Sequence, residues 1–230
     1  MKIELVCLDM AGTTVHDDGA VLAAFGEALT GMGLEPGTPE YAAAEDYART
    51  TMGQSKIEVF RAIADGDAAL AEKANAMFEH AYADGLDQVV PVPGAEAALK
   101  EMREAGIKTA FTTGFSAGTR DALIDALGWA GLCDLALSPA DAGRGRPYPD
   151  MLLSALIRLE VDDVRGIAAV GDTASDLLAG TRAGASIVAG VLTGAHDADA
   201  LGAAPHTHLL PSVADVPRVV GEHDRERRTL

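Results

Sequence analysis

The stretch Leu5-Val-Cys-Leu-Asp-Met-Ala-Gly-Thr-Thr-Val15 decides how the rest of the chain is read. An apolar run from Ile3 to Leu8, broken only by Glu4, stops at Asp9; Gly12 and two threonines follow. Such a run fits a strand buried on both faces of a parallel sheet. Open α/β sheets bind ligands at the carboxyl ends of their strands, so Asp9 stands where a reacting group would stand. Gly12 allows a tight turn, and the amides about Thr13 are placed to face an anion. The same residues also fit an ordinary strand closed by an Asx–Gly turn.

Working outward, Phe111-Thr-Thr-Gly114 ends a second strand-like run from Ile107 to Phe111. Arg146-Pro-Tyr-Pro149 precedes a helical segment, and Val170-Gly-Asp-Thr-Ala-Ser-Asp176 closes a third run, Gly166 to Val170. Between the first two runs, from about Gly19 to Asp84, the pattern is helical and alanine-rich. Val21, Leu22, Phe25, Ala28 and Leu29 keep helical spacing. Further helices are predicted over Tyr41–Thr50, entered through Thr38-Pro39, over Ser55–Ala64 and over Asp67–Tyr82.

After Pro93-Gly94 helix and strand alternate. Helices are predicted at Ala95–Ala105, Gly118–Leu127, Asp150–Leu159 and Ser175–Ala183. Strands are predicted at Ile107–Thr112, Leu132–Leu137, Gly166–Val170 and Ser186–Val191, with Thr207–Leu210 as an edge. This alternation predicts an α/β fold: a doubly wound parallel sheet, Rossmann-like, with an inserted all-helical cap. The expected division is a catalytic core of residues 1–17 and 88–220, a cap of 18–87, and a charged, frayed tail of 221–230. Hinges are expected near His16–Gly19 and Asp87–Pro93.

Composition narrows the function. The chain has 230 residues, 48% of them apolar, which is ample for a core. A net charge of −17 argues against a nucleic-acid or membrane-surface partner, both of which need basic patches. An anionic small molecule could bind only through a local group of cations, amides or a metal. The two cysteines, Cys7 and Cys133, lie in apolar runs and read as buried thiols of a reducing cytoplasm. The opening residues read as a strand, no run is long enough to span a bilayer, and the expected location is cytoplasmic. A homodimer is compatible with all of this.

Asp9, Asp172 and Asp176 fall at strand ends or one turn beyond. Converging carboxylates repel and raise one another's pKa, and a bound Mg²⁺ would relieve them through hard oxygen ligands. Asp172 and Asp176 individually also qualify as helix N-caps.

The four motifs, in this order and over most of the chain from Lys2 to about Gly194, resemble the haloacid dehalogenase superfamily of hydrolases. Within it they look most like the phosphonatases, phosphonoacetaldehyde hydrolase and its relatives. The resemblance implies that Asp9 attacks phosphorus and becomes an aspartyl-phosphate. It implies that Thr113 holds the phosphoryl group, with Gly12, Thr13, Gly114, Met52 and Gly53 near substrate, and that Arg146 balances charge. Arg146 otherwise reads as a surface loop residue beside Arg144. Asp9, the Ala11 carbonyl and Asp172 would hold Mg²⁺, with Asp176 supporting the metal shell directly or through water.

Position 11 separates subclasses. The superfamily's phosphatases carry a second Asp there to protonate the leaving alkoxide; here it is Ala11, which cannot deliver a proton. Phosphonatases share the alanine, and their carbon leaving group needs an electron sink. In Met52-Gly-Gln-Ser-Lys-Ile57, Lys56 matches the cap lysine that forms a Schiff base with the substrate carbonyl. Ser55-x-x-Glu58 reads as a capping box, which would put Lys56 in the first turn of a helix and lower its pKa. A solvated helix lysine, or a cation that merely grips phosphate, fits the same position.

The chain departs from phosphonoacetaldehyde hydrolase at Val59, Phe115 and Gly19, where that enzyme has histidine, tyrosine and cysteine. A related 2-oxoalkylphosphonate is therefore as good a substrate candidate as phosphonoacetaldehyde. Two other functions stay open: a phosphomonoester phosphatase with His16 or Asp17 as its acid, and a non-catalytic binding protein on the same fold.

Overall fold

Strands β1 (Leu5–Asp9), β4 (Ile167–Gly171) and β5 (Ile187–Val191) are buried along their whole length, because each is an apolar run covered on both faces. The computed structural model describes residues 2–228. After β1 come α1 (Ala20–Gly31), α2 (Pro39–Thr50), α3 (Lys56–Ile63), α4 (Ala68–Ala83) and α5 (Ala95–Glu104). Then follow β2 (Lys108–Thr112), α6 (Ala117–Ala126), β3 (Leu135–Leu137), α7 (Pro139–Ala142), α8 (Asp150–Arg158), β4, α9 (Ala174–Ala183) and β5. The chain continues through α10 (Ala198–Gly202), β6 (His208–Leu210) and α11 (Val216–Arg228).

The sheet is parallel throughout, with strand order β3-β2-β1-β4-β5-β6. Side chains alternate across it with period two. Val6 and Leu8 join one apolar cluster with Ala168, Val170 and Phe111. Leu5 and Cys7 join the other, with Ile167, Ala169 and Ala110. Helix α5 covers the first face through Ala95, Ala98, Leu99 and Met102, an i, i+3, i+4, i+7 stripe. Helix α8 covers the second through Met151, Leu152 and Ala155.

Chain order reverses between β1 and β4, so their carboxyl ends flank the crevice where such sheets bind ligands. The register sets Asp9 beside Thr112 and Leu8 beside Val170. Thr113 and Asp172 therefore emerge on either side of Asp9.

Helices α1–α4 contain no strand and pack on one another around Phe25, Phe60 and Phe78. Their apolar cluster is continuous with the sheet's first face through Val15, Met10 and Phe115. The two linkers pair: the His16 amide donates to the Val90 carbonyl at 3.0 Å and the Val92 amide to the Thr14 carbonyl at 2.9 Å. No helix among the described residues is long and apolar enough to cross a membrane.

Three expectations need correction. Residues 221–228 are not frayed; they complete α11, because Val216, Val219 and Val220 are buried and Asp224 accepts the Ile3 amide at 2.8 Å. Thr229 and Leu230, the rest of that tail, lie outside the described residues. Strand β3 is only Leu135–Leu137, because the Asp134 carboxylate accepts the Thr109 amide at 2.8 Å and ends the pairing. Cys7 is buried and its thiol is pushed up to about 12 by desolvation, whereas Cys133 is only half-buried.

Candidate active site

Asp9 ends β1, and the chain turns at once through Gly12, whose φ is 91°. A side chain there would meet the Asp172 carboxylate, 2.4 Å from where its Cβ would stand, so only glycine lets this loop close on β4. The turn consumes its own amides: Gly12 donates to the Val15 carbonyl at 2.7 Å and Thr13 to the Met10 carbonyl at 3.1 Å. The Thr13 hydroxyl donates to Asp172 at 3.1 Å. Gly12 and Thr13 thus shape the loop and hold Asp172; they do not offer the free donors to an anion that the sequence suggested. They also lie outside the residues lining the chamber above Asp9.

That chamber is about 30 Å³, near the volume of one water, and is lined by Asp9, Ala11, Asp17, Met52, Gly53, Lys56, Thr113, Gly114, Phe115, Arg146 and Asp172, among others. Thr113 follows β2, and its hydroxyl oxygen accepts the Phe115 amide at 3.2 Å, which leaves its proton for an anion. Arg146 is 3% exposed and is no surface loop residue. Its Nη1 lies 2.7 Å from Asp9 and also pairs with Asp176, while its Nε has no partner among the described residues. A buried guanidinium between two carboxylates neutralises charge that the interior would otherwise penalise.

Asp172 follows β4 and is 2% exposed. Its carboxyl is pushed up to about 7, by burial first and by the charge of Asp9 second. The Ala195 amide donates to it at 2.7 Å. Asp176 points elsewhere: one oxygen meets Arg146, and the other accepts the Thr173 amide at 3.1 Å together with the Thr173 hydroxyl. Thr173 is the N-cap of α9 and Asp176 its N3 partner in a capping box, so neither Asp172 nor Asp176 is the N-cap the sequence suggested. No cluster of three His, Cys, Asp or Glu side chains able to hold a metal exists among the described residues. A divalent cation still fits the smaller set of Asp9, Asp172 and the Ala11 carbonyl. Mg²⁺ commonly takes one or two carboxylates and completes its shell with water and phosphate. Asp176 differs from Asp172 in its partner: it is turned to the Arg146 guanidinium and to Thr173, which suits support of the shell more than direct ligation.

Lys56 opens α3 and is 6% exposed. Its Nζ lies 5.6, 5.8 and 5.4 Å from the ring centres of Phe25, Phe78 and Phe115. Its pKa falls to about 8, through desolvation first and the nearby Arg146 charge next. The predicted capping box is not formed: the Ser55 hydroxyl caps nothing and Glu58 pairs with Arg61 at the surface. Ser55 is instead pressed against Gly145, and the Lys56 amide donates to the Gly114 carbonyl at 3.2 Å. This places the inserted helices against the sheet ends.

The seam is glycine-dependent. A Cβ on Gly114 would lie 2.3 Å from the Gln54 carbonyl oxygen. Gly114→Ala is expected to push residues 52–56 away and lower kcat/KM by about 10²-fold, the scale of an ångström's misplacement of a reacting group. An unchanged kcat/KM would show that this contact does not place Lys56.

Of the two alternative acids, Asp17 lines the chamber and His16 does not. Sequence reasoning missed Phe25, Phe78 and Ala195. Phe25 reads only as a helix packing residue, Phe78 falls unmarked inside a predicted helix, and Ala195 carries no side-chain signal at all.

The haloacid dehalogenase-like hydrolase family model matches residues 3–184. A phosphonoacetaldehyde hydrolase of Bordetella pertussis is 28% identical over 264 aligned residues, covering 96% of this chain and 92% of that protein. A phosphonoacetaldehyde hydrolase of Bacillus cereus is 30% identical, covering 86% of this chain and 78% of its own. The crystal structure of a phosphonoacetaldehyde hydrolase-like protein from Oleispira antarctica superposes with a TM-score of 0.80 at 25% identity, covering 98% of this chain and 94% of that one. With its switch-point aspartate, parallel sheet and helical insertion, the chain belongs to the haloacid dehalogenase-like hydrolases, in their phosphonatase-like branch, and is an enzyme of the phosphoryl-transfer type.

Proposed function

We propose that the enzyme cleaves the C–P bond of a 2-oxoalkylphosphonate such as phosphonoacetaldehyde, with residues 18–87 as the cap and 1–17 with 88–220 as the catalytic core. The observation that carries this reading is Lys56. A buried amine with a pKa near 8, caged by aromatic rings, shares one chamber with Asp9, Thr113 and Arg146. Lysine at an ordinary pKa is a poor nucleophile at neutral pH, and desolvation in an apolar pocket activates it. Ala11 lines the same chamber and offers no acid for an alkoxide leaving group.

In this reading the substrate carbonyl condenses with Lys56, and the iminium accepts the electron pair of the breaking C–P bond. Asp9 attacks phosphorus in line from the opposite side. Arg146 and Thr113 hold the equatorial oxygens. Bound Mg²⁺ would supply charge stabilisation for the transferring group; Asp9, Asp172 and the Ala11 carbonyl would hold it. Gly114, Met52 and Gly53 shape the wall facing the substrate.

The test is borohydride reduction in the presence of phosphonoacetaldehyde. It should inactivate the enzyme and add the mass of the reduced adduct to the peptide carrying Lys56. No adduct, together with faster phosphate release from phosphate esters than from phosphonates, would replace this reading with a phosphomonoester phosphatase. Chelation should abolish turnover, and Asp172→Ala should raise the Mg²⁺ concentration needed for half-maximal activity more than Asp176→Ala, because Asp176 reaches Arg146 and not the ion. The reverse order in a metal titration would contradict the assignment.

A further inference from the structure

Imine formation requires protons to move in sequence, and the positions that differ from phosphonoacetaldehyde hydrolase here, Val59, Phe115 and Gly19, carry no ionisable side chain. The ionisable residues lining the chamber are Asp9, Asp17, Lys56, Arg146 and Asp172. Asp9 and Arg146 are paired at 2.7 Å. Asp172 is held by Thr13 and Ala195. Asp17 alone of the carboxylates stands apart from that network.

We propose that Asp17 is a catalytic residue which carries protons between the Lys56 amine and the substrate carbonyl oxygen while the imine forms. The inference rests on the C–P reading above. Asp17 lies in the linker before α1, and its carboxylate accepts the Val21 amide at 3.0 Å and is also bonded by the Gly19 amide, which fixes the side chain at the chamber wall. Lys56 makes no ion pair among the described residues, yet it lines the same chamber as Asp17 and the two charges act on each other there.

Asp17 also lines a second, open cleft of about 650 Å³, together with Asp18, Arg49, Met52, Ala195 and His196. It therefore sits between the chamber and the open cleft, where protons can be exchanged with solvent. The charged or titratable groups around it are Lys56 on α3, Tyr82 on α4, Asp18 in the same linker, and Arg49 and His196 across the cleft. Burial raises its affinity for a proton above that of an ordinary carboxylate.

The step balances. The Asp17 carboxylate takes one proton from the Lys56 ammonium, and the freed Nζ pair bonds to the carbonyl carbon while the C=O π pair moves to oxygen. That oxygen takes the second Nζ proton. Asp17 returns its proton to the hydroxyl, the C–O bond breaks, and water leaves as the Nζ pair closes C=N. One proton remains on the iminium nitrogen, and Asp17 ends as the carboxylate it began as.

The test compares borohydride trapping rates with phosphonoacetaldehyde. Asp17→Asn keeps an oxygen that can accept the Val21 amide but carries no proton, and should trap about 10²–10⁴-fold more slowly, the usual worth of a positioned acid–base group. Asp17→Ala should be equally slow, and added formate should restore much of its rate. A wild-type trapping rate in Asp17→Asn, or a slow Asp17→Ala that formate does not rescue, overturns the role of Asp17 and leaves the C–P reading standing. Absence of any adduct in the wild-type enzyme overturns both.

Discussion

Asp9→Asn is expected to lower phosphate release by about 10⁴-fold or more, on the scale of removing a catalytic nucleophile. Asparagine has the same shape, and its amide oxygen can still accept from Arg146, which now lies 2.7 Å from the carboxylate. The loss would therefore report the attacking charge and not a collapsed site. Stability should move the other way. Burial and the Asp9 charge together raise the pKa of Asp172, so removing that charge relieves a repulsion held in place for function. The thermal midpoint should be equal to or above that of wild type. Turnover within tenfold of wild type, measured at saturating Mg²⁺, would remove Asp9 from the nucleophile's role.

Much of this site is legible in the sequence, and the reason is local. A strand that ends at Asp9, another that ends before Thr113 and a third that ends before Asp172 are each readable from their own apolar runs. A parallel sheet then brings their carboxyl ends together whatever the loops do. What was not legible depends on residues far apart in the chain. Asp176 reads equally as metal support and as helix cap; only the position of Arg146, thirty residues earlier, and of Thr173 shows both oxygens engaged. The amides of Gly12 and Thr13 were expected to face an anion, but the turn closes on itself and spends them.

The Ser55–Glu58 pattern illustrates a competition between local and long-range bonding. As an isolated segment it would form a capping box. In the fold, Ser55 is buried in the seam and Glu58 stays at the surface with Arg61. The tail misled for the opposite reason: its charges suggested a frayed end, yet Val216, Val219 and Val220 bury an apolar stripe before the charged residues begin. An exposed Arg218–Glu222 pair at 3.0 Å adds only a little, as surface pairs do.

The second large effect is expected at Lys56. Lys56→Arg keeps a cation but cannot form an imine at neutral pH, because guanidinium does not give up its proton. Lys56→Met removes the charge and fills about the same space. Both should lower C–P cleavage by about 10³-fold or more, since the electron sink is gone. The two readings of this lysine separate here: a cation that only grips phosphate would let arginine retain most of the activity. Stability separates them further. The folded pKa of Lys56 is lowered from 10.5 to about 8, so the folded state binds its proton more weakly than the unfolded chain. Below about pH 8 both states hold the proton and the folded state bears the cost of a buried ammonium; between about pH 8 and 10.5 that cost is progressively relieved. Lys56→Met should therefore stabilise the protein by about 1–3 kcal/mol near neutral pH, with the gain shrinking as pH rises through that window. Denaturant midpoints of the two proteins at pH 7 and pH 10 would measure it. A methionine variant that is inactive and more stable at pH 7, with the difference narrowed at pH 10, is the signature of an amine kept buried for chemistry. A destabilised variant would show that the three rings around Nζ hold the ammonium as a structural partner, and the electron-sink role would then lose its main physical support.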